Sequence, residues 1–238
     1  MQAPAPNQAL SPAPPNGNRI APMSWEVLNP DALRKAPLVQ EPYPYMVVDN
    51  LIRPEVLPEV VASFPRVPKR GSFPPEAVSY SGMFTKLMDE MHGAELRGLV
   101  GERLGMDLEG RPPMLTIRGR TGPKDGRIHT DSKSKLVTVL LYLNRGWSAP
   151  QGRLRLLYND HDLTRYAAEI APDAGRCLIF KVTPNCWHGH EPFDGERRTI
   201  QLNYVTSEEA RDHDLRRHRF SAFLKGLFST ADAKSPAH

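Results

Sequence analysis

The chain has 238 residues, 39% apolar and 24% charged, with 31 Lys and Arg against 27 Asp and Glu for a net charge of +4. That length can bury the core of one domain, no run of 18 apolar residues is present to span a membrane, and the mild basic excess falls short of a nucleic-acid-binding surface. Two cysteines, Cys177 and Cys186, cannot make a multi-disulfide framework. They suit free thiols in a reducing compartment, so a cytoplasmic protein is expected.

Residues 1–22 hold six of the 24 prolines and few large apolar side chains. Such a segment buries too little surface to offset its ordering entropy, and it reads as a disordered tail. Its lack of a basic start and an apolar stretch argues against a secretory signal. Residues 23–205 read as one domain, with helical support over 50–105 and a barrel core over 112–205. Residues 206–238 read as a C-terminal amphipathic helix and tail.

Within the domain, residues 44–50 predict a strand. Pro54 to Phe64 carries Val56, Leu57, Val60 and Val61 at helical spacing, with Pro54 suited to a first turn. Residues 65–78 read as a loop. From Met83 to Leu104, apolar residues recur at three- and four-residue steps and predict two helices broken near Gly93. The period then shortens. Strands are expected at Met114–Arg118, Arg127–Thr130, Leu136–Asn144, Arg153–Leu157, Ala168–Ala171, Cys177–Val182 and Arg197–Val205, with Pro, Gly and Asp between many of them. Seven or eight strands behind a helical front predict a mainly β fold with supporting α-helices, a sandwich or a jelly-roll barrel. Glu208–Phe228 has the pattern of a basic amphipathic helix. Packing on the barrel or on a second copy, as in a homodimer, is its simplest use, with a membrane surface as the alternative.

Chemistry concentrates in three places. His129 and Asp131 lie two apart, so on extended backbone both side chains leave one face and can reach one metal ion. Taken alone, a hydrogen-bonded surface His–Asp pair explains them as well. Trp187-His188-Gly189-His190 follows more than fifty residues later and offers a third ligand. Two imidazoles and one carboxylate make a facial triad that suits Fe(II) and leaves positions open. In Gly195–Val205, Ile200, Leu202 and Tyr204 alternate with Arg197, Thr199, Gln201 and Asn203. An Arg on the polar face can hold a carboxylate by two parallel hydrogen bonds, although a single Arg is more often merely solvated.

His129-x-Asp131, then His188, then Arg197 nine residues on, resembles the Fe(II)/2-oxoglutarate-dependent dioxygenase superfamily, in its prolyl-4-hydroxylase-like branch. Leu136–Asn144, Gln151–Leu156 and Cys177–Phe180 resemble further strands of that branch, so the likeness covers about 114–205. It implies a double-stranded β-helix, cupin-like in form. His129, Asp131 and His188 would be the catalytic iron ligands. Arg197 and Tyr142 would bind the distal carboxylate of 2-oxoglutarate, with Thr138, Leu140 and Leu154 around the co-substrate. His190 competes with His188, and Arg198 with Arg197; the family spacing favours His188, and alternation favours Arg197. Asn203 departs from the family, where many members carry Trp on the inward face. The implied activity consumes 2-oxoglutarate and O2, releases succinate and CO2, and hydroxylates an unactivated C–H bond of a small-molecule or peptidyl substrate. A non-catalytic cupin-like metal- or ligand-binding barrel and a zinc hydrolase on the same ligands are the alternatives. Arg118 and Arg127 are candidates for the substrate mouth, Lys133 and Lys135 for a cationic entrance, and the loops at 65–80 and 121–126 for lids.

Overall fold

Asn29 starts the first helix, α1 (Pro30–Lys35): its Oδ1 accepts the Ala32 N–H at 3.2 Å, and Pro30 fits the first turn, where no N–H is needed. The computed structural model describes residues 25–216 apart from residue 68. The predicted tail at 1–22 lies outside these residues. So does most of the predicted C-terminal helix, of which residues 208–216 are helical. β1 (Tyr45–Val48) and α2 (Leu57–Ala62) follow, then a 3-10 turn at Pro75–Ala77. Gly93 ends α3 (Met83–His92) and precedes α4 (Ala94–Leu104), so the break falls where the sequence places it. β2 (Pro113–Thr121), β3 (Lys135–Tyr142), β4 (Leu154–Leu157), β5 (Tyr166–Ile170), β6 (Cys177–Lys181), β7 (His188–Gly189) and β8 (Gly195–Val205) complete the described chain.

The strands form two antiparallel sheets. The large one runs β1-β6-β3-β8-β2 and the small one β5-β4-β7. Alternation divides the large sheet into two faces. One face presents Val137, Val139 and Leu141 of β3 and Ile200, Leu202 and Tyr204 of β8 to the helical layer, where Phe84, Leu87, Met91, Leu96 and Val100 are buried. Each such apolar side chain contributes roughly 1.5–3 kcal/mol by leaving water. Glu90 ties this layer together: its buried carboxylate accepts the backbone N–H groups of Glu26, Val27 and Leu28 at 2.7–2.9 Å. On the other face, Tyr142, Leu178 and Phe180 meet Leu154, Leu156 and Ile170 of the small sheet. This is the double-stranded β-helix the resemblance implies, mainly β with helices on one side.

One predicted strand does not form. Arg127–Thr130 has no ladder of its own and touches a neighbour only through an isolated bridge, His129↔His188. The remaining strands appear with ends shifted by a few residues. α1 carries a cap and a first-turn proline in its sequence, and it was not among the expected elements. No helix among the described residues is long and apolar enough to cross a membrane.

Candidate metal centre

The His129↔His188 bridge is the keystone of the site. Each residue donates its backbone N–H to the other's carbonyl at 3.0 Å. The reciprocal pair sets the two rings 4.3 Å apart. His188 is held from behind by β4, where Leu156 is its register partner, and its ring packs 5.1 Å from Phe180. His129 Nδ1 lies 2.8 Å from the Arg127 carbonyl, and His188 Nδ1 lies 2.8 Å from the Cys186 carbonyl. A carbonyl can only accept, so each Nδ1 carries a proton and Nε2 is the ring nitrogen left to a metal. Burial, reinforced by His129, pushes the His188 pKa down to about 4, which keeps that imidazole neutral.

Gly189 explains why a glycine separates the two histidines. A Cβ there would lie 2.9 Å from the Gly126 carbonyl oxygen and 3.2 Å from Ile128 backbone atoms. His190 accordingly turns away from the cluster. Its N–H donates to Gly126 O and its Nδ1 to Glu191 O, both at 2.8 Å, and its ring covers Gly126. It braces the turn that delivers His129, and the cluster of potential ligand atoms within 4.8 Å of one another comprises His129, Asp131 and His188.

Asp131 is gripped from two sides. Lys135 Nζ donates to Oδ1 at 2.8 Å, and the Thr138 hydroxyl donates to Oδ2. Burial pushes the Asp131 carboxyl up, but Lys135, His188 and Thr138 together hold it below the ordinary carboxylate range. Thr138 in turn accepts from Asn203 Nδ2 at 2.7 Å, and Asn203 Oδ1 accepts from Gln201 Nε2 at 3.0 Å. Every donor in this chain points toward the carboxylate, so the inward face of β8 orients Asp131 through β3. Asn203, which departs from the family's Trp, therefore has a local structural use. The i,i+4 spacing of Asp131 and Lys135 signals one contact; the Gln201–Asn203–Thr138 chain crosses strands and leaves no local signal.

The cluster opens on a cavity of about 680 Å³. Leu140 and Leu154 line it. Arg197 lines it too; its Nε donates to Gly152 O at 2.9 Å, and the guanidinium lies 5.2 Å over the Tyr142 ring. Arg197 Nη2 and Tyr142 Oη are both buried with no hydrogen-bond partner. Burial pushes the Tyr142 phenol up, against the pull of Arg197, so it remains a donor. Two orphaned donors side by side in a water-poor corner fit a carboxylate. Arg198 points to the opposite face, where it pairs with Glu196 at 2.7 Å and lies over Phe64. Arg118, Arg127 and Lys135 line the cavity, as do Gly71 and Ser72 from the predicted loop at 65–78 and Lys124 to Gly126 from the turn at 121–126; Lys133 does not. Two imidazoles and a carboxylate are a donor set that fits Fe(II).

Residues 119–205 match the family model of the 2OG-Fe(II) oxygenase superfamily. Among solved structures, the chain is similar to a Pseudomonas putida prolyl-4-hydroxylase, with 18% identity, a TM-score of 0.50, and coverage of 74% of this chain and 97% of that one. It is also similar to a Trichoplax adhaerens prolyl hydroxylase in complex with a hypoxia inducible factor peptide fragment (20% identity, TM-score 0.43, 71% and 86% covered). HygX from Streptomyces hygroscopicus, with nickel and 2-oxoglutarate bound, is similar at 15% identity and TM-score 0.45, covering 69% and 82%. No curated protein matches the sequence.

Proposed function

We propose that this chain, whose residues 119–205 match the model of the 2OG-Fe(II) oxygenase superfamily, is a member of it, with His129, Asp131 and His188 holding the Fe(II) and Arg197 and Tyr142 holding the distal carboxylate of 2-oxoglutarate. When bound, iron and co-substrate supply oxidative chemistry that uses O2, converts 2-oxoglutarate to succinate and CO2, and hydroxylates a substrate C–H bond. The protein supplies position. The two Nδ1–carbonyl hydrogen bonds fix both imidazoles with Nε2 toward the metal. Lys135 and Thr138 keep the Asp131 carboxylate ionised and oriented. Leu140 and Leu154, on the cavity wall, would pack along the co-substrate's methylenes and exclude water there. Thr138 thus acts on the co-substrate site through Asp131.

The observation that carries this reading is the pair of neighbouring partnerless donors, Arg197 Nη2 and Tyr142 Oη, with Arg197 lining the same cavity as the three-ligand cluster and lying over the Tyr142 ring. A mere metal-binding barrel needs neither donor. Two buried free cysteines support a reducing, cytoplasmic setting. The domain reads as residues 23–205, and the helix beginning at 208 is available to pack on a second copy.

The test is anaerobic titration of Fe(II)-loaded protein with 2-oxoglutarate, followed by calorimetry and by the visible absorbance of the metal–co-substrate chelate. Arg197→Met weakens binding roughly 30-fold or more, about 2 kcal/mol for one buried charged pair. His188→Ala abolishes the absorbance band. Absence of both band and binding in the wild-type protein overturns the oxygenase reading.

A further inference from the structure

The inward faces of β3, β8 and β2 line up in rows. Tyr142, Thr199 and Arg118 form one row across the three strands, and Leu140, Gln201 and Thr116 form the next. Arg118 therefore sits beside the Tyr142–Arg197 corner but one or two strands to its side, at the sheet edge. It lines the same cavity. Its Nη2 donates to Ser72 Oγ at 3.1 Å, and its nearest carboxylate, Asp125, is 3.8 Å away, beyond hydrogen-bond reach. Asp125 is itself engaged, accepting the Gly122 N–H at 2.8 Å within its turn. Most of the five donors of Arg118 are thus unspent.

We propose that Arg118 is a second anion receptor in this cavity, and that the substrate is a small hydrophilic molecule whose carboxylate or phosphate group it reads; this deepens, and rests on, the oxygenase reading.

Three features support it. First, two guanidiniums face one cavity with no carboxylate at hydrogen-bond distance from either. Burial, together with Arg197, pushes the Arg118 pKa down against the pull of Asp125; the side chain keeps 29% exposure, and a bound anion would offset that push. Second, Lys124 and Arg127 stand at the rim without an ion pair among the described residues, so the field at the mouth draws anions. Third, among the described residues Leu140 and Leu154 are the only aliphatic side chains larger than threonine that line the cavity, and no Phe, Tyr or Trp does. Both leucines lie on the co-substrate's path. An apolar substrate would bury little matching surface here, unlike the predominantly apolar lining usual for small-molecule pockets.

The test uses protein loaded with Mn(II) and saturated with 2-oxoglutarate, with nuclear relaxation by the bound Mn(II) as readout. Inorganic phosphate, acetate and neutral acetyl-prolinamide are the probes. Phosphate or acetate should be relaxed by the wild-type protein, and the stronger of the two names the group. Arg118→Gln should weaken that probe about tenfold, the loss of one charge-assisted pair, while the 2-oxoglutarate Kd stays within about twofold. Arg118→Lys should recover part of the effect, and thermal unfolding of each variant shows whether it is folded. Equal anion binding by Arg118→Gln overturns the proposal. So does Arg118-independent binding of acetyl-prolinamide in preference to both anions, which would indicate a prolyl peptide. Loss of 2-oxoglutarate binding in Arg118→Gln also overturns it, by assigning the residue to the co-substrate. If wild-type protein binds no 2-oxoglutarate, the oxygenase reading fails, and phosphate titration without co-substrate still reads Arg118.

Discussion

On its helix-covered face, the five-stranded sheet carries Val137, Val139, Leu141, Ile200 and Leu202, all with no exposure to solvent. On its inner face, one residue out of phase on the same strands, it carries Thr138, Tyr142, Arg197, Thr199 and Asn203, equally buried but polar. On the outer face the buried Tyr204 hydroxyl is left without a partner. The inner face keeps two neighbouring buried donors without partners, Arg197 Nη2 and Tyr142 Oη, while Thr138 and Asn203 are spent on orienting Asp131 and Thr199 accepts from Arg197 at 3.5 Å. Burial alone therefore does not distinguish stability from function in this sheet, and neither does one unpaired hydroxyl; two unpaired donors meeting at one place, one of them a charged guanidinium, do. One strand such as β8 supplies both, because its side chains alternate.

Substitutions on opposite faces of β8 test that division. Ile200 pairs with Ile117 and Leu141 and is fully buried. Ile200→Ala should cost about 2–5 kcal/mol in denaturant unfolding, the sum of lost transfer energy and a residual cavity. Arg197→Met, of similar reach, removes a buried charge with no counter-ion. Its stability in the ligand-free protein should stay within about 1 kcal/mol of wild type or rise. Equal losses for the two variants would erase the contrast.

A smaller effect is expected within the inner face. Thr138→Val keeps the shape but removes the hydroxyl between Asn203 and Asp131. Groups that orient a metal ligand typically change affinity 10–100-fold, so Mn(II) binding should weaken by about tenfold. Thr138→Ser restores the hydroxyl and should restore affinity. Unchanged Mn(II) binding in Thr138→Val would reduce the Gln201–Asn203–Thr138 chain to packing.

How much of this was legible follows the range of each interaction. Period-two alternation in β3 and β8 is a local signal, and it separates Arg197 from Arg198 and assigns Thr138, Leu140 and Tyr142 to one face. The family resemblance carried by His129, Asp131 and His188 picks out the same three residues whose potential ligand atoms lie within 4.8 Å of one another. What local pattern cannot carry is cross-chain partnership. Arg127–Thr130 reads as a strand because its composition suits one, yet it finds only a single bridge partner, and that bridge is what aligns the two histidines. β7 is two residues long and held by β4, so no periodicity announces it. The three N–H groups on Glu90 join residues more than sixty apart, and the sequence shows only an ordinary helical glutamate.

The smallest predicted effect gives the sharpest form of the comparison, because it concerns two adjacent residues of one type. Arg198 lies on the helix-covered face, 27% exposed, paired with the half-exposed Glu196 at 2.7 Å. It also donates to the Val61 carbonyl at 3.3 Å and lies 5.1 Å from the Phe64 ring centre. A screened pair and a partly solvated cation–π contact together contribute about 1 kcal/mol or less. Arg198→Ala should therefore lower stability slightly, more so in low salt, and leave 2-oxoglutarate affinity within about twofold, since the side chain never enters the cavity. Arg197→Met should do the reverse, sparing stability and weakening the co-substrate. If instead Arg198→Ala weakens 2-oxoglutarate as strongly as Arg197→Met does, the strand's alternation does not decide which guanidinium serves the site. The orphaned Nη2 of Arg197 would then need another occupant.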